Sequence, residues 1–186
     1  RAIVPVHLYG QAADLPAIRA VAERHGLAIV EDCCQAHLAT CGGVPVGTAG
    51  AGGAFSFYPT KNLAALGDGG AVITGDAARL RRLRNGGQAA RYQHVEAGLN
   101  SRLDEIQAAV LRVRLRRLPA QTARRRALAA AYRGALPAAV VPVPETDAGH
   151  VYHLFPVRHP ARDALQAHLQ ACGIGTLVHY PFALTE

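Results

Sequence analysis

The first thirty residues alternate between strand-like and helix-like patterns of apolar positions. Residues 3–8 form an apolar run that predicts a strand, and residues 13–25 carry apolar positions at helical spacing. Gly26 follows this segment as the expected end of the helix. Residues 27–30 then predict a second strand. A strand, a helix and a strand in this order predict a parallel sheet that is covered on both faces.

Two acidic residues, Glu31 and Asp32, directly follow the second predicted strand. In open sheets of parallel strands, ligands bind beyond the carboxyl ends of the strands. This edge of the predicted sheet is therefore the first candidate for a ligand site.

The middle of the chain contains short apolar runs between glycines. Residues 41–55, CGGVPVGTAGAGGAF, lack helical periodicity, whereas residues 71–74, AVIT, predict another strand. Asp76 has the residue type of an N-cap and precedes a helical pattern, which predicts a helix from there through Arg84.

From Arg102 onwards the pattern is helical. Apolar residues recur at three- and four-residue spacing, with arginines on the opposite side, and predict the buried face of the helix: Leu103, Ile106, Val110 and Val113. Pro119 is expected to break or start a helix, and the helical pattern continues over residues 121–136.

The last fifty residues begin with three prolines, at positions 137, 142 and 144, which mark a linker. After it, residues 151–157 predict a strand, residues 162–172 a helix that ends at Gly173, and residues 174–180 another strand. This order predicts the start of a second, smaller α/β domain.

The composition is that of a globular protein, since half of the 186 residues are hydrophobic and can form a core. No apolar run approaches the ~20 residues of a membrane span, and the first residues lack the layout of a secretory signal. The four cysteines, at positions 33, 34, 41 and 172, form no CxxC pair and, with His37, lack the spacing of a zinc site. We therefore expect a cytoplasmic protein with free thiols, no metal and no membrane partner.

The net charge of +7 is concentrated in residues 79–133, which contain 14 arginines and three acids. A solvated helix face is the favoured interpretation of this charge, and ligands that carry phosphate come second. Nucleic acid comes third, because Tyr92 and Tyr132 are the only aromatic residues of the segment that could stack on bases.

Lys61, in SFYPTKN, is the only lysine of a chain that contains 19 arginines. A neutral amine condenses with carbonyl groups, whereas a guanidinium stays protonated, so a position that requires lysine is a Schiff-base candidate. A surface cation and a phosphate-binding lysine are the alternatives. The following GDGGA does not fit a phosphate-binding P-loop, which has glycine before the lysine and serine or threonine after it.

Three further residues favour a pyridoxal phosphate site around Lys61. Such a site needs a carboxylate for the pyridinium nitrogen, donors for the phosphate and a partner for the phenolic oxygen. Asp32 offers the carboxylate, Ser56 a hydroxyl on the segment that carries the lysine, and Gln35 an amide near the ring. Each has a plain structural interpretation when taken alone, but together they favour a cofactor site.

Several motifs resemble the DegT/DnrJ/EryC1/StrS family of pyridoxal-phosphate-dependent sugar aminotransferases. The quoted stretches are VEDCCQAHLA, FSFYPTKNLAALGDGGAVIT, LRNGGQ and GLNSRLDEIQAAVL, and the likeness extends to VYHLFPVR and GIGTLVHYP. The resemblance implies an α/β protein of fold type I, with a mainly parallel sheet flanked by helices and part of a small C-terminal α/β domain. Family members are longer, so we expect a fragment without the N-terminal segment and the C-terminal end. Residues 1–118 would be the second part of the large cofactor-binding domain, and residues 119–186 a connecting helix and the start of the small domain.

The resemblance also implies roles for the site residues. Lys61 would bond to the cofactor and move protons, Asp32 would pair with the pyridinium nitrogen, Gln35 would contact the phenolic oxygen and Ser56 the phosphate. Asn100 matches the residue that reaches the phosphate of the neighbouring subunit, which implies a homodimer with shared active sites.

Two residues near the end of the chain, His179 and Tyr180, are possible sugar contacts, although a structural role at a strand end is equally open. The related sugar dehydratases carry histidine at position 61, so this lysine disfavours their chemistry. The chain departs from the family at Cys33 and Cys34, where alanines are usual, and at Leu38, where a small residue is common.

The implied function is transfer of an amino group, from glutamate as the expected donor, to a nucleotide-linked keto-sugar. The product would be an amino sugar for a natural product or a surface polysaccharide. One alternative is a truncated homologue that dimerises or binds a partner without catalysis. A nucleic-acid binder is the other, and no nucleic-acid partner is expected.

Overall fold

The computed structural model of the chain describes residues 1–182. Four α-helices are found in this part: α1 (Leu15–His25), α2 (Ala77–Leu83), α3 (Glu105–Ala135) and α4 (Arg162–Ala171). The strands are β1 (Ala2–Ile3), β2 (Ala28–Asp32), β3 (Thr40–Cys41), β4 (Val44–Pro45), β5 (Gly52–Ser56), β6 (Gly70–Thr74), β7 (Gln88–Ala90), β8 (Gln93–His94), β9 (Val141–Pro142) and β10 (Val157–Arg158).

The main sheet has four strands in the order β1-β2-β5-β6. The pairs β1–β2 and β2–β5 are parallel, and β5–β6 is antiparallel. The remaining strands form three two-stranded pairs: β3–β4, β7–β8 and β9–β10. The expected α/β architecture with a mainly parallel sheet and flanking helices is therefore confirmed.

One face of the main sheet is covered in the described residues and the other is largely open. Along β2, Ile29 and Glu31 are buried, whereas Ala28 and Val30 are exposed. The buried side packs against a core cluster drawn from the segments after β2 and from two segments distant in sequence: Ala12, Cys33, Ala36, Ala39, Val46 and Val151. The expectation that both faces are covered is not met along β2 in the described residues, because 40% of Val30 is exposed.

The predicted helix boundaries agree with the capping chemistry. Asp14 accepts a hydrogen bond from the backbone of Ala17 at the start of α1, and Gly26 ends that helix in the left-handed conformation, with φ 61°. Asp76 accepts from the backbone of Arg79 at the start of α2, as predicted.

The predicted buried face of α3 is correct only in part, since Leu103 and Val110 are half-buried and Leu103 packs on the cluster around Leu118. Ile106 and Val113 are exposed, with 74% and 54% of their surface accessible. The residues that are buried or half-buried instead recur at helical spacing along the full helix: Leu111, Arg114, Leu118, Thr122, Arg125, Ala129 and Arg133. Because three of these residues are arginines, the hydrophobic pattern of the sequence did not identify the core-facing side of the helix.

These arginines of α3 are half-buried because their guanidinium groups donate to backbone carbonyls. Arg114 bonds to the carbonyl of Ala64 at 2.7 Å, Arg125 to that of Tyr152 at 3.0 Å and Arg133 to that of Val143 at 2.8 Å. The aliphatic parts of these arginine side chains pack along the core, while their guanidinium N–H groups donate to carbonyls of the loops. The favoured expectation of a simple solvated arginine face is thus incomplete.

The helix α3 continues through Pro119, so the prediction of a helix boundary there is wrong. Proline in a helix interior costs about 3 kcal/mol because it removes a backbone hydrogen bond and crowds the preceding turn. Burial of Leu118 and Thr122 on either side of Pro119 keeps both halves of the helix in place.

The strands predicted for residues 151–157 and 174–180 are also wrong. Of the predicted residues 151–157, only Val157 lies in a strand, because β10 consists of Val157 and Arg158. Residues 174–180 form no strand. The backbone of the 151–154 segment bonds instead to the turn at Tyr9 and Gly10, with no neighbouring strand to extend a sheet. Residues 183–186, at the end of the second predicted domain, lie outside the described residues.

The two leucines Leu118 and Leu115 test the assignment of the buried face. We expect Leu118→Ala to lower the free energy of unfolding by about 2–5 kcal/mol, because only 2% of this side chain is exposed and its loss leaves a cavity. Leu115→Ala on the same helix is the matched control, since Leu115 is 52% exposed, and should cost less than about 1 kcal/mol. Urea unfolding of both variants gives the two values, and equal losses would contradict the assignment.

Candidate active site

Asp32 and Ser56 lie at the same edge of the main sheet. Asp32 pairs in register with Ala54, two residues before Ser56, so both side chains belong to one face of the parallel pair β2–β5. The carboxylate of Asp32 accepts a hydrogen bond from the backbone N–H of Cys34 at 3.0 Å. The hydroxyl of Ser56 accepts from the backbone N–H of Tyr58 at 3.2 Å. Both groups keep capacity for a ligand.

Lys61 is half-buried in the loop between β5 and β6. Its backbone N–H donates to the carbonyl of Tyr58 at 2.9 Å. The loop is held by α3, because Gln107 accepts from the backbone of Leu66 at 2.7 Å and Leu63 packs in the cluster around Leu118. The position of the lysine is therefore set by the long helix.

The thiol of Cys34 is influenced by three predicted site residues. Burial raises the pKa of Cys34 to about 11, and the neighbouring carboxylate of Asp32 acts in the same direction. The charge of Lys61 and the backbone of Ser56 act in the opposite direction. The sulfur donates to the carbonyl of Ala54 at 3.8 Å, and with its raised pKa it is a weak nucleophile at neutral pH.

Two histidines that the sequence did not single out as site residues lie near Lys61. Burial lowers the pKa of His153 to about 4, and the charges of Lys61, Arg125, His37 and His179 act in the same direction. The ring of His153 also bonds to the side-chain oxygen of Asn62 at 3.1 Å. Only the fold brings these residues together, because ninety positions separate His153 from the lysine loop.

His37 is buried, and neither of its ring nitrogens has a hydrogen-bond partner among the described residues. The ring lies between Phe55 and Phe57, with centroid distances of 5.6 and 5.9 Å. Burial lowers its pKa to about 4; the Ser56 backbone opposes this change, and the charge of Lys61 adds to it. His37 is therefore neutral at pH 7.

We expect His37 to make stability fall in acid. Its folded pKa lies below the unfolded value of 6.5, so the unfolded chain takes up the proton first and folding weakens as pH falls from about 6.5 to about 4. His37→Phe should remove roughly 2 kcal/mol of the stability difference between pH 7 and pH 5. Urea unfolding at both pH values measures it, with exposed His25→Phe as control. An unchanged pH dependence in His37→Phe would contradict the expectation.

The side-chain amide of Gln35 joins a predicted cofactor residue to the predicted sugar contacts. Its oxygen accepts from the backbone N–H of Tyr9 at 2.6 Å, and its nitrogen donates to the hydroxyl of Tyr180 at 3.1 Å. The hydroxyl of Tyr9 donates to the carbonyl of His179 at 2.9 Å. The structure therefore places residues 179 and 180 beside Gln35, and Tyr9 is a site residue that sequence patterns gave no signal for.

Asn100 is not part of this cluster. Its side-chain oxygen accepts from Arg102 at 3.1 Å, and its backbone pairs with that of Asn85. It lines an open cleft of about 1090 Å³ together with Asp68 and Arg84. Among the described residues, no hydrogen bond links Asn100 to the lysine, the carboxylate or the hydroxyl of the site.

The sequence profile of the DegT/DnrJ/EryC1/StrS aminotransferase family matches residues 1–186. The chain belongs to this family. The resemblance seen in the motifs around Lys61 is thereby confirmed over the whole sequence, and so is the assignment to fold type I.

Curated members of the DegT/DnrJ/EryC1/StrS family include two sugar aminotransferases with high similarity. The dTDP-3-amino-3,4,6-trideoxy-alpha-D-glucose transaminase of Streptomyces venezuelae is 54% identical over 97% of this chain and 49% of its own length. The UDP-N-acetyl-3-dehydro-alpha-D-glucosamine 3-aminotransferase of Acidithiobacillus ferrooxidans is 47% identical over 97% of this chain and 50% of its own length. The chain thus spans about half the length of these relatives, as the motifs led us to expect.

Solved structures of the DegT/DnrJ/EryC1/StrS family superpose on the described fold. The crystal structure of DesV from S. venezuelae has a TM-score of 0.91 and 54% identity, covering 99% of this chain and 51% of that chain. A family aminotransferase from Brucella abortus has a TM-score of 0.93 and 42% identity, with the same coverage. The arrangement of the described elements is therefore that of the corresponding half of these proteins.

Proposed function

We propose that the chain supplies the lysine-bearing half of a pyridoxal-phosphate-dependent sugar aminotransferase. The observation that carries the proposal is the placement of Asp32 and Ser56 on one face of the parallel pair β2–β5, with Lys61 in the loop that follows β5. The carboxyl edge of a parallel sheet is where α/β proteins bind their ligands. The amino donor would be an amino acid, with glutamate as our first candidate.

The residues present fit pyridoxal phosphate. When bound, this cofactor supplies an electron sink for carbanion chemistry. Asp32 keeps one carboxylate oxygen bonded to the Cys34 backbone and has its other oxygen for the pyridinium proton. Lys61 would bond covalently to the cofactor and carry protons, and Ser56 would donate to the phosphate. The Gln35 oxygen is held by Tyr9, so its amide nitrogen is the group that can donate to a phenolic oxygen.

The sugar substrate is proposed to carry its keto group at carbon 3 and a nucleoside diphosphate at carbon 1. The names of relatives from S. venezuelae, A. ferrooxidans and Aneurinibacillus thermoaerophilus, at 47–54% identity, all place the amino or keto group at carbon 3. They differ in the nucleotide, which is dTDP or UDP. His179 and Tyr180, beside Gln35, are our candidates for sugar contacts.

We further propose a homodimer in which Asn100 completes the phosphate site of the partner subunit. Asn100 lies apart from the lysine of its own chain and lines an open cleft. Its neighbour Leu99, which lines the same cleft, is an apolar side chain that is 74% accessible. A large exposed apolar surface is typical of a subunit interface.

The division of the chain at residues 118 and 119 is retained as a proposal, with α3 bridging the two parts as one continuous helix. Within residues 1–182, no helix is long and apolar enough to cross a membrane. Free cysteines in this part are compatible with the proposed cytoplasmic location. Nucleic acid is disfavoured further, because Arg114, Arg125 and Arg133 are used on backbone carbonyls.

Each half-reaction can be followed in the protein at its full natural length. The protein is first loaded with pyridoxal phosphate and mixed with L-glutamate, which should bleach the visible absorbance band and release 2-oxoglutarate. Addition of a nucleotide-linked 3-keto hexose should restore the band and yield the 3-amino sugar. A protein that forms dimers but shows no spectral change with any amino donor would instead support a homologue without catalysis.

A further inference from the structure

Glu31 and His7 form a buried pair on the face of β2 opposite to Asp32. His7 Nε2 lies 2.9 Å from Glu31 Oε2, and neither side chain has exposed surface. The carboxylate also accepts from the backbone N–H groups of Gly47 and Ala49, both at 2.7 Å. Three N–H donors therefore surround one buried side chain. Although the sequence places Glu31 at the ligand edge, its side chain points into the core.

The hydrogen bonds of His7 fix its tautomer. Nδ1 accepts from the backbone N–H of Ala13 at 3.0 Å, so this nitrogen carries no proton. The proton is therefore on Nε2, the donor to Glu31. The sulfur of Cys33 lies within 4.8 Å of the pair, as in a metal site. Both ring nitrogens of His7 already have hydrogen-bond partners, however, so His7 and Glu31 form a hydrogen-bonded pair and not a metal site.

The segment that carries His7 also holds two of the proposed cofactor residues. The N–H of Asp32 donates to the carbonyl of Pro5 at 2.9 Å, and the N–H of His7 donates to the carbonyl of Asp32 at 3.0 Å. Two residues on, the N–H of Tyr9 holds the oxygen of Gln35. Tyr9 has φ 60°, a left-handed conformation that needs support from its surroundings.

We propose that the His7–Glu31 pair is a positioning device that sets the place of Asp32 and the orientation of the Gln35 amide. It joins segment 5–9 to the 47–49 loop across β2, so the strand end cannot shift without breaking a buried hydrogen bond. The inference rests on the proposed function, because the two positioned residues are those assigned to the cofactor. Glu31 and His7 are fully buried on the face of β2 opposite to Asp32, so we assign them a positioning role only.

Glu31→Gln tests the proposal in the protein at its full natural length. The variant replaces one oxygen by an NH₂ group that faces N–H donors, so at least one donor meets another donor. We expect affinity for pyridoxal phosphate to fall on the order of ten- to a hundredfold, by analogy with the loss of partners behind metal ligands. An absorbance titration measures affinity, and circular dichroism verifies folding at the assay temperature.

Amide hydrogen exchange without cofactor gives a second measurement. Glu31→Gln should raise exchange at residues 32–35 and 46–50 relative to Glu23→Gln, the same change at an exposed acid of α1. Variants of His7 separate its two bonds. His7→Gln can still donate to Glu31 and should keep most of the affinity for pyridoxal phosphate. His7→Asn keeps only the acceptor for the Ala13 N–H, and its affinity for pyridoxal phosphate should fall.

The outcomes are distinct. Exchange at residues 32–35 and cofactor affinity that both equal those of Glu23→Gln would overturn the proposal, even if the melting temperature of Glu31→Gln fell, because the pair would then only stabilise the fold. A wild-type protein that fails to bind pyridoxal phosphate would overturn the proposed function instead. In that case the exchange measurement still decides whether the pair positions residues 32–35.

Discussion

Lys61→Arg is expected to abolish both cofactor bonding and amino transfer, with a loss in kcat on the order of 10³-fold or more. Arginine preserves the positive charge near Cys34, His37 and His153, but a guanidinium cannot form a covalent bond with the cofactor carbonyl. The variant therefore separates a nucleophilic amine from a mere cation. The measurement is the visible spectrum with pyridoxal phosphate, followed by steady-state amino transfer.

The composition of the chain makes this test unusually clear. Because Lys61 is the only lysine of these 186 residues, borohydride reduction of the loaded protein should fix the cofactor on the peptide that contains SFYPTKN and on no other peptide of this sequence. Mass spectrometry of that peptide identifies the bonded residue. Arg79→Lys, which adds a lysine at an exposed position of α2, is the control and should carry no fixed cofactor. Equal spectra and rates for wild type and Lys61→Arg would exclude the Schiff-base role.

Asp32→Asn should lower kcat by about two to four orders of magnitude while leaving the fold intact. An asparagine oxygen can still accept from the Cys34 backbone, so the turn after β2 is preserved. The negative charge that would hold a proton on the pyridinium nitrogen is lost, and with it the electron sink of the cofactor. Rates of the glutamate half-reaction, measured in rapid mixing, report this loss directly.

The matched control for Asp32→Asn is Asp163→Asn, the same change at an acid of α4 that is 82% exposed. It should leave the half-reaction rate within about twofold of wild type. Urea unfolding of Asp32→Asn separates catalysis from stability. If Asp32→Asn transfers amino groups as fast as the control variant, then the carboxylate does not serve the cofactor and another group must be sought.

The arginines of α3 show where sequence patterns mislead. A stripe of apolar residues at helical spacing predicted the buried face, but Ile106 and Val113 on that stripe are exposed. The true core face contains Arg114, Arg125 and Arg133, whose carbonyl partners lie in distant loops. Hydropathy counts an arginine as polar, whereas the fold can bury its stem and satisfy its donors.

The strands predicted near the C-terminus illustrate a second limit. Residues 151–157 have the composition of a strand, yet a strand forms only where a neighbour offers backbone partners. Here the partner is a turn, since Val151 and Leu154 donate to the carbonyls of Gly10 and Tyr9. Short helices were predicted more accurately, because Asp14, Gly26 and Asp76 fix their ends through local hydrogen bonds.

The sequence by itself determined the candidate chemistry and the family. A single lysine among arginines, with a carboxylate, an amide and a hydroxyl at suitable positions, predicted a cofactor site because these side-chain types have few substitutes in that chemistry. The order of strands and helices predicted the parallel sheet for a similar reason, since capping and hydrophobic period are local properties.

Only the tertiary structure decided which residues surround the lysine and what supports them. The hydrogen bonds of His153 with Asn62, of Tyr9 with Gln35 and of His7 with Glu31 join positions that lie far apart in the chain. No local pattern encodes such contacts, because they depend on the packing of complete elements. Successive strand residues point to opposite faces, and the packing decides which face is the core. Glu31 therefore lies in the core, and its neighbour Asp32 lies at the ligand edge.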